Sequence, residues 1–394
     1  MVAEASDSRH IRGAADILST VRQVAEQVVM PQARESDAQA QWPEKSIRAL
    51  QAAGLGGLVV PREHGGLGQG LLGLTQACEI LGQECASTAI SFGMHCVGSA
   101  VLSAQATDYQ VSRFLRPISE GRHLTTLALS EPGTGSHFYF PQCQLQQTDE
   151  DQLTLSGTKC FVTNGGHADS YVVSTMHSGD HGLTQFSCVV VEDGLPGMTW
   201  GEGWEGFGMR GNDSRGLRFD DTPIPAGNLL GAVGDQTWYV FNVVAPYFLM
   251  AMSGAYLGVA TSALEAARVH LTERQFSHSG RSLSEADVLQ HSFATNWSKL
   301  EATRQLVYNA ARSFDRGDED AVVKVMVSKA EVAETATQVV NNAMTFMGGM
   351  AYRDGERIQR SLRDVRASHV MAPTTDLLRI WAGRLLLGLP LLGE

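Results

Sequence analysis

Basic residues are scarce in this sequence. Thirty Lys and Arg stand against 42 Asp and Glu, for a net charge of −12. Nucleic acid and anionic membrane both reward clustered Lys and Arg, so neither is expected as a partner. An acidic surface still leaves room for a local basic pocket that holds an anionic cofactor. The six cysteines, Cys78, Cys85, Cys96, Cys143, Cys160 and Cys188, form no CxxC pair. Residues 1–12 are polar and lack the apolar core of a signal peptide. Reduced thiols in a cytoplasmic protein are therefore expected. The 12 histidines include no HExxH and no carboxylate cluster has metal spacing, so no metal site is expected. Charge is absent altogether from residues 236–264, a run long enough to cross a bilayer. That run contains Asn242, Pro246, Gly254 and Gly258 and has no flanking Lys/Arg cluster. It reads as the central helix of a bundle.

Alternating strands and helices are also missing, which argues against a doubly wound nucleotide fold. The chain reads instead as an α+β protein in three parts. A helical domain occupies 1–122, a middle antiparallel β domain 123–234, and a helical, four-helix-bundle-like domain 235–394. Helix begins near Asp7, and Ile17, Val21, Val24 and Val28 then recur at helical spacing, as do Ile47, Leu50 and Ala53. From His123 the apolar runs become short and are separated by Gly, Asp, Asn and Pro, the pattern of strands and turns. Pro223 and Pro225 are expected to end the β domain, since proline cannot donate to a ladder. Val322, Val325, Met326, Ala333, Ala336, Val340, Ala343 and Met347 then lie on or near one helical face, which Gly348-Gly349 terminates. Gly201-Glu202-Gly203-Trp204-Glu205-Gly206 matches GxGxxG, but no βαβ unit surrounds it, so it reads as a loop.

Several segments, taken in order, resemble those of the acyl-CoA dehydrogenase family. Pro61-Arg62-Glu63-His64-Gly65-Gly66 is similar to its PxxxGG loop. Leu129-Ser130-Glu131-Pro132-Gly133-Thr134-Gly135-Ser136 is similar to its [ST]EPxxGS signature, the most specific match. Lys159-Cys160-Phe161-Val162-Thr163-Asn164 resembles K-x-[WF]-I-T-N. Gly208-Met209-Arg210-Gly211 resembles the end of the β domain, and Gly348-Gly349-Met350-Ala351-Tyr352 with Arg363-Asp364-Val365-Arg366 resembles the C-terminal GGxGY and RDxR pair. The resemblance implies a non-covalent FAD between the β domain and the C-terminal bundle of a homodimer or homotetramer. It implies that Ser130 and Thr163 offer hydroxyls to the flavin and that Phe161 covers one flavin face. Gly348 and Gly349 would approach the pyrophosphate, usually from a neighbouring subunit, and Arg274 would pair with it. Arg363 and Asp364 are read as a partly buried pair. Ser136, His137, Phe138, Phe248 and Ala372 fall at the expected substrate pocket.

The resemblance breaks where the catalytic base belongs. The family's E-G-T segment is here Ala372-Pro373-Thr374, and the alternative site on the preceding helix holds Phe248 and Leu249. Its Asp after Gly-Ser is His137. The catalytic residue is thus unassigned, with His137, His369, His95 and Asp376 as weak candidates. The first expectation is an FAD oxidoreductase acting on an unusual acyl thioester, CoA rather than an acidic carrier protein, in secondary or aromatic metabolism. An O₂-using oxygenase of the same fold, acting on an aromatic or cyclic CoA-bound substrate, is the alternative; a dry apolar pocket suits it. A flavin- or nucleotide-binding relative without catalysis is the third reading.

Overall fold

The computed structural model describes residues 13–149, 151–177 and 186–392, so the helix start expected near Asp7 and the polar stretch 1–12 lie outside the described residues. Helix α1 (Ala14–Val24) passes through a π turn, Ala25–Val29, into α2 (Met30–Ala38). The π turn changes the phase of the buried stripe. Ile17, Val21, Ala25 and Val29 are buried, whereas Val24 and Val28, which even helical spacing puts on that face, are only half-buried. Helices α3 (Glu44–Ala52), α4 (Leu71–Glu84), α5 (Ala86–Ala104), α6 (Asp108–Gln110) and α7 (Arg116–Ser119) complete this part. α5 has almost no charge and is buried on every side from Ala86 to Leu102.

The middle of the chain is one sheet of β1 (Thr125–Ala128), β2 (Gln144–Asp149), β3 (Gln152–Val162), β4 (Ser170–His177), β5 (Phe186–Glu192), β6 (Met198–Trp200), β7 (Arg215–Pro225) and β8 (Leu229–Leu230). Strand order is β6-β7-β3-β2-β4-β5-β8, with β1 also on β4. Pairing is antiparallel except for β1–β4 and β2–β4, which are parallel. Strand β7 runs through both prolines expected to end the domain: Pro223 faces Thr154 and Pro225 faces Gln152 on β3. The reason lies on its other side. β6 covers only Leu217, Arg218 and Phe219, so the proline end of β7 is an edge where a missing N–H costs nothing. The segment 201–206 is a loop between β6 and β7, as its context indicated.

Helix α8 (Gln236–Tyr239) leads through a second π turn, Val240–Val244, into α9 (Ala245–Glu273); α10 (Asp287–Arg316) and α11 (Ala321–Met347) pack against it, followed by α12 (Arg357–Val365), α13 (Ala367–Val370) and α14 (Thr375–Leu386). α9 is long and apolar enough to cross a membrane, and most of it is buried, with extensive contact to α4 and α11. Glycines set the closeness of the α4–α9 crossing. A Cβ on Gly254 would sit 2.2 Å from the Thr75 carbonyl oxygen, and one on Gly258 2.2 Å from that of Glu79. Glu79, buried at this crossing, is satisfied by Arg304 Nε at 2.8 Å and the Tyr308 hydroxyl at 2.6 Å.

Candidate active site

A cavity of ≈ 750 Å³ opens where the sheet meets α5, the start of α9 and the α12–α13 region. That is ample for a large organic cofactor or substrate. Most of its wall is apolar. Leu127 and Leu129 come from β1 and the residues after it, Phe138 from the following loop, Val244 from the end of the π turn, Phe248 from the start of α9, and Val370 to Pro373 from the end of α13 and the turn after it.

The family-like signatures meet beneath this cavity. Lys159 and Glu131 form a buried ion pair, Nζ to Oε1 at 2.5 Å, with both side chains almost fully hidden. Lys159 also donates to the carbonyls of Leu129 (3.2 Å) and Ser174 (2.6 Å). Glu131 accepts the backbone N–H groups of Gln142 (2.7 Å) and Cys143 (3.1 Å). The pair pins the 131–143 loop to the sheet. Glu131 is the one carboxylate on the cavity wall among the described residues, and these bonds engage both of its oxygens.

On one side the wall is a strained aromatic lip. Phe161 is 65% exposed, unusual for so large an apolar ring. Its φ is +55°, a conformation costing a bulky residue about 1–2 kcal/mol. The bulge that breaks the β3–β7 register between Lys159 and Val162 turns the ring outward. Trp204 meets it edge to face, centroids 6.2 Å apart. Asn164, Met209 and Asp213 near the same cleft also have positive φ, at 61°, 52° and 46°. Backbone strain concentrated around one opening marks a functional surface. Ser130 lies at the mouth, and Thr163 shares a hydroxyl contact of 3.2 Å with Ser214.

Of the residues singled out from the sequence, the structure brings Ser130, Ser136, Phe138, Phe161, Thr163, Phe248 and Ala372 together on the cavity wall. His137 is not with them. Its neighbours Ser136 and Phe138 line the wall, but its own ring turns to the Tyr139 hydroxyl, 2.8 Å from Nδ1, and is exposed. None of the other candidate bases lines the cavity either. His95 is wholly buried: Nε2 donates to the Gly56 carbonyl at 2.9 Å and Nδ1 accepts the Thr125 N–H at 3.1 Å. Burial lowers its pKa to about 4, so it is a neutral core histidine. His369 is half-buried on α13, and burial lowers its pKa as well. Asp376 is exposed in the first turn of α14, where a carboxylate favours the helix end.

Arg274, Gly348 and Gly349 lie outside this cavity, on the exposed surface. Gly348 has φ 63° and ψ −149°, a region essentially reserved for glycine, and a Cβ on either glycine would meet nothing. Arg363 does not pair with Asp364. Its guanidinium bonds Asp37, with 3.0 Å for the Nη1–Oδ1 contact, while Asp364 accepts the Met209 N–H at 2.7 Å. Burial raises the pKa of Asp364 to about 6.

Two positively charged residues had no role assigned from the sequence. Arg366 lies on the cavity wall, exposed, with no ion pair among the described residues. Lys329 is fully buried on α11, and its Nζ donates to the carbonyls of Ser368 (2.8 Å) and Pro373 (3.1 Å). It thus ties down both ends of the turn that carries Ala372. Burial lowers its pKa to about 8. Spacing gave no hint of this, because the lysine interrupts an otherwise apolar helical face.

Known proteins resemble this chain in sequence and fold. Family models for the acyl-CoA dehydrogenase N-terminal, middle and C-terminal domains match residues 14–122, 126–222 and 247–387. Cyclohex-1-ene-1-carbonyl-CoA dehydrogenase of Geobacter metallireducens is 31% identical over 94% of this chain and 97% of its own length. The solved butyryl-CoA dehydrogenase of Megasphaera elsdenii superposes with a TM-score of 0.90 at 26% identity, covering 97% of this chain and 100% of that one. The FAD complex of PigA shares the fold, with a TM-score of 0.86 at 23% identity over 99% of this chain and 100% of that one. FAD is the cofactor of this protein, and the cleft fits it: the exposed Phe161 ring offers a face to a planar partner, and the Ser130 hydroxyl stands at the mouth. The chain belongs to the acyl-CoA dehydrogenase family.

Proposed function

We propose that this protein is an FAD-dependent oxidoreductase that removes two electrons from the acyl group of a CoA thioester without a carboxylate side chain as base. The observation that carries this reading is the wall itself: Ala372 and Phe248 stand where the family resemblance puts the carboxylate, Pro373 replaces the glycine beside it, and Glu131 is committed to Lys159. Bound FAD supplies a two-electron acceptor. The chain's own residues bind and orient. Phe161 and Trp204 cover one face of the cofactor, Ser130 and Thr163 offer it hydroxyls, and Ser136 and Phe138 face the acyl thioester. Val370, Met371, Ala372 and Phe248 give the acyl group an apolar wall. Without a general base, which contributes roughly 10²–10⁴-fold, the substrate must carry an already acidic proton that it can give up to water at the open mouth of the cavity. A compact, cyclic or conjugated acyl group in secondary or aromatic metabolism meets that need, and the Geobacter relative is itself named for a cyclohexenecarbonyl thioester. The net charge of −12 favours CoA over an acidic carrier protein.

The same reading extends to the assembly. Segments 1–122, 123–234 and 235–394 act as three domains of a cytoplasmic homo-oligomer. Residues 288–298 of α10 carry no charge and expose Val288 and Trp297, a surface suited to a second copy. Arg274, Gly348 and Gly349, which lie outside their own cavity, would then serve the pyrophosphate of a neighbouring subunit.

The test is an anaerobic screen of diverse acyl-CoAs for bleaching of the oxidised-flavin band, repeated with NAD(P)H. Bleaching by a thioester supports the proposal; bleaching by NAD(P)H alone opposes it. A second reading, an oxygenase that delivers O₂-derived oxygen to a cyclic CoA-bound substrate, is favoured by the dry apolar wall of Phe138, Phe248 and Met371. Absence of ¹⁸O from every product formed under ¹⁸O₂ removes it.

A further inference from the structure

We propose that Asp213 is a positioning residue for the flavin face of the cavity, holding Phe161 in place through Trp204. The inference rests on the reading that Phe161 covers the flavin. Asp213 itself does not line the cavity, although its neighbours Asn212 and Ser214 do.

Donors from three separate segments converge on this one carboxylate. Oδ2 accepts from His167 Nε2 at 2.7 Å and from Arg215 Nη2 at 2.7 Å. Oδ1 accepts from Arg215 Nε at 2.9 Å and from the backbone N–H of Trp204 at 3.3 Å. Burial alone would raise the carboxyl's pKa, but the bonds from His167 and Arg215 outweigh it and hold the group well below the usual range. Asp213 is therefore an anion throughout the range in which proteins fold.

The node is anchored from behind. His167 lies flat on Trp42, rings 4.4 Å apart and 2° from parallel. Trp42 Nε1 donates to Asn164 Oδ1 at 2.8 Å, and Asn164 Nδ2 reaches the Ser91 carbonyl on α5 at 2.9 Å. Towards the cavity, Trp204 is the ring that meets Phe161 among the described residues. Trp204 sits in a segment, 201–206, that has no regular secondary structure of its own. Its fixed points are the bond to Asp213 and its Nε1–H to the Gly208 carbonyl at 3.2 Å. A bulky residue at φ +55° persists only where its surroundings over-determine it. Releasing Trp204 lets Phe161 relax and uncovers the flavin.

The experiment compares holoproteins of Asp213→Ala, Asp213→Asn, Trp204→Leu and Phe161→Ala by visible circular dichroism of bound FAD and by FAD affinity. Phe161→Ala changes the flavin spectrum and weakens FAD about tenfold, the scale of one aromatic contact. Asp213→Ala and Trp204→Leu reproduce that spectral change, and Asp213→Asn, which keeps an oxygen for the Trp204 N–H, recovers part of the wild-type signal. A purely structural Asp213 lowers the melting temperature and leaves the spectrum alone. Wild-type spectra for Asp213→Ala and Trp204→Leu beside an altered Phe161→Ala overturn the inference and spare the reading of Phe161. A wild-type spectrum for Phe161→Ala overturns both. If Asp213→Ala does not fold, the isosteric Asp213→Asn decides: a spectrum shifted towards that of Phe161→Ala supports the inference, and a fully wild-type spectrum overturns it.

Discussion

Lys159 and Glu131 meet at 2.5 Å beneath the cavity, in a site that hides both charges from water. They belong to the two segments whose sequence is most family-like, yet their work is architectural: they hold the loop carrying Ser136 and Phe138 against β3. Breaking one partner of a buried pair strands the other. Lys159→Met and Glu131→Gln should each destabilise the protein by about 3–5 kcal/mol, and the double variant by less than their sum. Urea unfolding of the three variants measures this.

Ala372 lies on the cavity wall, in the turn that Lys329 ties down at Ser368 and Pro373. Placing a carboxylate there tests directly what the wall lacks. Ala372→Glu should raise the rate at which saturated acyl-CoAs bleach the flavin by roughly 10²-fold, the lower end for a general base. Anaerobic stopped-flow absorbance reads the rate; no acceleration means that the turn does not face the substrate's α-carbon.

Phe161 combines exposure with a left-handed backbone, so stability and cofactor binding should separate there. Phe161→Gly removes a strain of about 1–2 kcal/mol and little buried surface. The apoprotein should unfold at an equal or higher urea concentration than wild type, while FAD binds about tenfold more weakly. Fluorescence titration of the apoprotein supplies the second half of this comparison.

Asp364 provides a pH signature. Burial raises its pKa from 3.8 to about 6 in the folded protein. The folded state therefore binds more protons than the unfolded one across that window, and this group's contribution to stability falls as pH rises from 3.8 through 6. Asp364→Asn removes the titration while keeping an oxygen for the Met209 N–H. The stability of wild type relative to the variant should decrease between about pH 4 and pH 7, as read from urea midpoints; a constant difference contradicts the raised pKa.

Much of this was legible in the sequence because it depends on local pattern. The change from helical to strand-like spacing near His123 and back near Asp235 marks the three parts. The uncharged run 236–264 forms α8, the π turn and the first part of the buried α9. Strand β2 has no apolar run to mark it, because its residues beyond Leu145 are polar and exposed. Val29, not Val28, is buried because a π turn adds a residue that even spacing does not foresee. Within the site, the signature segments located Ser130, Phe161 and Thr163, since such motifs preserve the order of residues along one strand or loop. Asp213 and Lys329 were invisible for the opposite reason. Their importance comes from partners far away in sequence: Lys329 meets Pro373, and Asp213 meets His167, only once the chain has folded. His137 shows the converse error, since adjacency to Ser136 and Phe138 says nothing about which way a loop side chain turns.

The most direct test is a crystal structure of the FAD complex with an unreactive acyl-CoA analogue. The account predicts that no Asp or Glu oxygen, from this chain or a neighbouring copy, comes within about 3.2 Å of the carbon beside the thioester carbonyl. A carboxylate found poised at that carbon, opposite the flavin, would contradict it.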